Sequence, residues 1–167
     1  MKVILIVGDS GVGKSTLAQY LKENYNFNIV KSYTTRSKRN FDDNDHIFIS
    51  QETADEMLCG DDIVAHTRIN DCDYFSSVFD FRLDKTNVYI VDKKGVDDIC
   101  RNCPDWEVKV LKMKTNENNI IGERSNRTVN VPEDKDCDLI LERKVIHKYD
   151  LYRKNVLVPK TNWVDVL

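Results

Sequence analysis

The apolar run Val3-Ile4-Leu5-Ile6-Val7 leads without a break into Gly8-Asp9-Ser10-Gly11-Val12-Gly13-Lys14-Ser15, and no other stretch narrows the choice of fold so far. Gly, four residues, then Gly-Lys-Ser is the spacing of a phosphate-binding loop. Glycines let the backbone curl into a nest whose N–H groups converge on phosphate oxygens, where a Cβ would obstruct. After Ser15, apolar residues at 17, 18, 20 and 21 predict a helix over 15–24, whose N-terminus adds a positive dipole end at the anion. Strand, loop, helix is the context the motif requires. Gly8, Ser10, Gly11, Val12, Gly13, Lys14, Ser15 and Thr16 are therefore the candidate triphosphate-binding residues. Lys14 supplies a point charge for the β- and γ-phosphates, and the Ser15 hydroxyl is a candidate Mg²⁺ ligand.

The 167 residues suffice for one domain with a real core. A short strand is expected over 27–30, then a polar stretch to Asp45 and a strand-like His46-Ile47-Phe48-Ile49. Residues 51–58 read as a helix capped by Ser50 and closed by Gly60. Strands at 63–66 and 74–78 flank the turn-prone Asn70-Asp71. The run 87–92 is apolar on consecutive positions, as a strand covered on both faces should be. A helix over 96–101 and strands over 108–113 and 139–141 complete the pattern. Residues 116–138 read as a mobile loop or a short lid, and from Lys144 helix and strand signals mix. The alternation predicts an α/β protein, a mostly parallel sheet with helices on both faces. The middle third breaks the rhythm, as an inserted lobe of short strands would. Ligands of such sheets sit beyond the carboxyl ends of the strands, where both the glycine loop and Asp92 fall.

A formal net charge of −3 gives no global attraction to nucleic acid or anionic lipid, so any anion site is local. No apolar run is long enough to span a bilayer. Five cysteines, an odd number with no cleavable leader ahead of the first strand, predict reduced thiols in the cytoplasm. Cys100 and Cys103 have no second Cys or His pair to complete a zinc site, and His46, His66 and His147 lack ligand spacing.

The second informative stretch is Lys31-Ser32-Tyr33-Thr34-Thr35-Arg36-Ser37-Lys38-Arg39, with four cations and no acid in an acidic chain. Hydroxyls interleaved with arginines three apart suit a phosphate gripped by guanidinium groups. Two anion sites on one small domain point to the donor and acceptor of a phosphoryl transfer.

These residues carry a resemblance. Residues 32–39 resemble the Ser-x-Thr-Thr-Arg-x-x-Arg segment of the guanylate kinase family, and Asp45-His46-Ile47-Phe48-Ile49-Ser50 resembles its Asp-Tyr-x-Phe-x-Ser. Tyr74-Phe75-Ser76 is similar to its Tyr-Gly-Ser, and Asp92 and Gly95 match its Asp-x-x-Gly. The resemblance implies a P-loop kinase fold and ATP- and Mg²⁺-dependent phosphorylation of a nucleoside monophosphate, GMP or dGMP first. It implies one domain over 1–167, with core segments 1–31 and 83–167, an acceptor-binding lobe about 32–82 and a short lid about 114–131. Ser32, Arg36, Arg39, His46 and Tyr74 would hold the acceptor phosphate, with Ser76 and Asp92 at its nucleoside. Lys14, Arg36, Arg124 and Arg127 would act on the transferring group. The implied partners are small nucleotides, with no nucleic acid and no membrane; monomer and homodimer both stay open.

Four departures are visible. Ala65, beside His66, stands where the family has a guanine-reading Glu, His46 replaces Tyr, the lid is shortened, and Arg143 stands where Asn is expected after the last strand. They keep two other readings open: a related kinase for another phosphorylated acceptor such as ribose 1,5-bisphosphate, and a non-catalytic guanylate-kinase-like binding module.

Overall fold

Strand β1 (Lys2–Gly8) runs through the middle of a seven-stranded sheet, and its alternation creates two core layers. Ile4 and Ile6 point to one side, Val3, Leu5 and Val7 to the other, and all five are buried. The computed structural model describes residues 1–41, 43–115, 130–145, 148–153, 156–158 and 167. On one side β1 pairs in parallel with β7 (Asn87–Ile90), which pairs with β2 (Asn28–Val30). On the other it pairs with β8 (Glu107–Thr115), which pairs with β9 (Leu139–Val145). These pairings are all parallel. Two antiparallel strands, β10 (Lys148–Arg153) and β11 (Val156–Val158), extend the β9 edge. The mixed signals after Lys144 thus resolve into strands within the described residues.

Helix α1 (Lys14–Tyr25) covers the Ile4/Ile6 face through Leu17, Ala18 and Leu21, packed with Val88, Leu111 and Leu139. Truncating Leu17 or Leu21 to Ala would cost about 2–5 kcal/mol in such a layer. Helix α3 (Lys93–Asn102) covers the opposite face through Val96 and Ile99. A helix on each face of a mostly parallel sheet matches the expectation. Its boundaries moved, however. The strand expected over 87–92 ends at Ile90, because the Asp92 carboxylate accepts the Gly95 amide at 2.8 Å and starts α3 three residues before the expected Val96.

The middle third forms a second sheet in the order β4 (Ile47–Phe48), β3 (Tyr33–Thr34), β6 (Cys72–Ser77) and β5 (Ile63–Ile69). Asn70 and Asp71, at φ 49° and 59°, make the tight turn between β5 and β6. Helix α2 (Gln51–Leu58) starts where expected, its Ser50 hydroxyl accepting the Thr53 amide. The free edge of β5 is covered by α3. Asp98 accepts the His66 amide at 3.3 Å, Lys94 donates to the His66 carbonyl, and Asn102 donates to the Val64 carbonyl at 3.2 Å. Val64 and Ala65 share a core cluster with Val96 and Ile99, so the two sheets meet through α3.

No helix among the described residues is long and apolar enough to cross a membrane. The five cysteines are unpaired.

Candidate functional site

The loop from Gly8 to Gly13 joins β1 to α1, and its first glycine is imposed by the sheet. Gly8 has φ 146°, and a Cβ there would sit 2.6 Å from the Met113 carbonyl oxygen of β8. Gly13, at φ 101°, turns the chain into α1. The Lys14 amine folds back over this loop, donating to the Gly8 and Asp9 carbonyls at 2.8 Å each. Burial pushes its pKa down to about 8, against the opposing charge of Asp9.

A cavity of about 620 Å³ opens beside the loop. The glycine loop contributes Gly8, Ser10 and Lys14 to its lining; Ser32, Arg39, His46 and Tyr74 line it too, as do Ala65, Thr67, Tyr89 and Asp92. The structure thus brings eight residues singled out from the sequence around one space: Gly8, Ser10, Lys14, Ser32, Arg39, His46, Tyr74 and Asp92. Gly11, Val12, Gly13, Ser15 and Thr16 belong to the same loop and helix start but do not line it. The Val12 side chain is part of the core. Ser15 lies outside, its hydroxyl 3.5 Å from the Asp45 carboxylate, to which it donates.

Two expected contacts are placed differently. Ser76 is fully buried beside the Tyr89 hydroxyl and is not among the residues lining the cavity. Arg36 does not line it either. Its guanidinium bonds the Asp43 carboxylate at 3.0 Å and the Ser37 carbonyl at 2.8 Å, and lies 5.1 Å over the Phe48 ring. Arg124 and Arg127 lie outside the described residues.

Two nitrogens in this region lack partners. Arg36 Nε and His46 Nδ1 are buried and have no hydrogen-bond partner. The His46 ring packs edge-on against Tyr74, with centroids 5.4 Å apart, and against Phe48 at 6.2 Å. Buried N–H and ring nitrogen atoms without partners are costly. Of the two, only His46 lines the cavity.

Sequence reasoning gave no role here to five residues. Tyr89 sits in an apolar run and reads as core, yet its hydroxyl lies 3.0 Å from Ser32 Oγ at the cavity floor. Thr67 donates to the Asp92 carboxylate at 3.1 Å; a count of two from Ala65 along the strand would have found it. Asp43 and Asp45 lie in a polar stretch whose partners only the fold reveals. His66, next to Ala65, also lines the cavity, and its Nε2 is 2.8 Å from the buried Asp73 carboxylate.

No family model matches the sequence, and no curated protein matches it. Among solved structures the chain is similar to guanylate kinase from Anaplasma phagocytophilum, with a TM-score of 0.53 and 21% identity. The match covers 68% of this chain and 60% of that one, so this chain spans less than two thirds of the length of that structure. What the likeness shows is a guanylate-kinase-like fold.

Proposed function

We propose that the chain transfers the γ-phosphoryl group of ATP to a nucleoside monophosphate, GMP or dGMP first, giving the diphosphate. The observation that supports this reading is the shared cavity, lined both by Lys14 and its glycine loop and by Arg39, His46 and Tyr74. The loop would hold the triphosphate through its backbone N–H groups and Lys14, once the amine leaves the Gly8 and Asp9 carbonyls. The acceptor phosphate would lie against Arg39, His46 and Tyr74. Its oxygen is already anionic, so no general base is required; alignment and charge neutralisation carry the reaction. Ser15 Oγ and the Asp45 carboxylate are hard oxygen donors side by side at the loop, and they fit Mg²⁺. That ion, when bound, neutralises charge on the transferring phosphates.

Ala65 favours a second reading, a sugar phosphate such as ribose 1,5-bisphosphate, because a guanine-reading carboxylate is missing there. Against it, the cavity is also lined by Asp92, whose carboxylate repels a second phosphate. ADP release from ATP and Mg²⁺ should be measured with GMP, dGMP, other monophosphates and ribose 1,5-bisphosphate in turn. Turnover with GMP or dGMP supports the first reading, and turnover with the sugar phosphate alone replaces it. Silence with every acceptor removes both.

A further inference from the structure

At the opposite end of the sheet from the glycine loop lies a second cavity of about 590 Å³, which shares no lining residue with the first. Both sheets contribute to it. The turn before β5 supplies Asp61 and Asp62, the chain leaving β6 supplies Val78, and the turn between α3 and β8 supplies Pro104, Asp105 and Trp106. Backbone bonds tie this frame: the Val78 amide donates to the Asp62 carbonyl at 2.8 Å, and the Trp106 amide to the Cys103 carbonyl at 3.1 Å. Ile63, Val78, Pro104 and Trp106 give the cavity apolar surface, and Phe79, next to Val78, is left 80% exposed. Phe81, two residues on, is buried against the Trp106 ring with centroids 4.7 Å apart. The chain after β6 thus gives one phenylalanine to the core and another to solvent, beside a residue of the cavity.

The charge here has one sign. Asp61, Asp62 and Asp105 are exposed, none of their carboxylates has an ion-pair or hydrogen-bond partner among the described residues, and no lysine or arginine lines the cavity. Such a surface turns away nucleic acid and anionic lipid. We infer that it docks a cationic segment of a partner protein, an extended stretch in which arginine or lysine alternates with apolar side chains. Alternation follows from the period of an extended chain, which sends successive side chains to opposite sides. The cations meet the three aspartates, and an apolar residue lies against Val78, Phe79 and Trp106. Burial of that apolar surface supplies affinity, a tryptophan beside a guanidinium adds to it, and the aspartates set orientation and the rate of encounter. A second copy of this chain fits less well, because it brings a net charge of −3 to an acidic face. The docking surface is independent of the phosphoryl-transfer reading, since the two cavities have no residue in common.

The test uses the whole chain without nucleotide. The probe is a short capped peptide alternating arginine and leucine; the controls are the same peptide with glutamate for arginine, and spermine as a free polycation. NMR titration reads the backbone amides and the Trp106 indole. The expected result is saturable binding of the arginine peptide, mapped to residues 60–64, 78–79 and 102–106 and weakened by salt. The exposed, isosteric set Asp61→Asn, Asp62→Asn and Asp105→Asn should weaken it about tenfold, and Phe79→Ser should weaken it without abolishing the salt dependence. No binding of the arginine peptide overturns the inference, as does binding that maps elsewhere or is unchanged in the triple variant. Equal binding of the glutamate peptide overturns the charge argument, and spermine binding as tightly as the peptide makes this a site for free polyamines instead. Sedimentation that shows a dimer of the chain, made monomeric by Phe79→Ser, replaces the partner protein with a second copy.

Discussion

The Arg36 guanidinium and the Asp43 carboxylate meet at 3.0 Å, with only 12% and 7% of the two side chains exposed. The same carboxylate oxygen accepts the Arg39 amide at 3.2 Å. Burial alone would push the Asp43 carboxyl up, but the bonds from the Arg39 amide and the Arg36 guanidinium outweigh it and bring the pKa below the ordinary value. Asp43 therefore stays charged and holds Arg36 in place. Asp43→Ala should raise the acceptor KM about tenfold or more, the scale of one charge-assisted hydrogen bond, and leave the ATP KM nearly unchanged. Steady-state kinetics with each substrate varied in turn checks this, and equal rises in both would detach Asp43 from the acceptor.

Lys14 titrates near 8 in the free protein, and a triphosphate selects its charged form. The ATP KM should therefore rise with pH above about 8, where binding must first protonate the amine. Lys14→Arg, charged throughout, should flatten that limb. Lys14→Ala should abolish transfer and leave the circular dichroism spectrum unchanged. Turnover in that variant would take the glycine loop out of the mechanism.

Thr67 donates to Asp92 from the strand opposite, and the Gly95 amide donates to the same oxygen. Thr67→Val keeps the shape and removes the hydroxyl. The acceptor KM should rise roughly fivefold to tenfold, worth about 1 kcal/mol, with kcat at saturation kept and Thr67→Ser restoring the wild-type value. A loss of thermal stability without any KM change would make Thr67 a purely structural residue.

Asp98 binds Lys94 at 2.7 Å, Arg101 at 2.6 Å and the His66 amide at 3.3 Å. Against burial, which pushes it up, the bonds from Lys94, the His66 amide and Arg101 hold its pKa below the ordinary value. A carboxyl lowered on folding contributes stability that is present above its unfolded value, about 3.9, and is lost as pH falls through the folded one. Asp98→Asn should cost about 2 kcal/mol at pH 7, roughly 4–8 °C in Tm. The gap to wild type should close below about pH 4. A gap that stays constant through that range would mean the charge of Asp98 contributes nothing.

The sheet and its two covering helices were legible because β1 and β7 are apolar on consecutive positions and α1 is apolar at helical spacing. The turn at Asn70-Asp71 and the Ser50 cap were legible because their chemistry is local. Asp92 was visible as a residue beyond a strand, but its capping bond, which moves the start of α3, depends on Gly95 approaching closely: a Cβ there would meet Val91 Cβ at 2.9 Å. The glycine loop and the basic stretch could be read from spacing alone. The positions of Arg36 and Ser76 could not. Arg36 is turned by a partner seven residues on, and Ser76 by the register of β6 against β5, which a local bulge between Ile63 and Ala65 shifts. Tyr89 hid because a phenol in a buried strand is counted as apolar until its hydroxyl finds Ser32.

Three side chains of α3 bond the outer backbone of β5, and the apolar residues beneath them are shared between the sheets. A rigid swing of the second sheet would have to tear that seam, exposing both a strand edge and a slice of core. On the proposed reading, approach of donor and receiver among the described residues falls to the segment joining β3 to β4, which carries Arg39 and His46, and to the reach of the Lys14 side chain. That assigns the stroke to a strap and a single arm instead of to the frame.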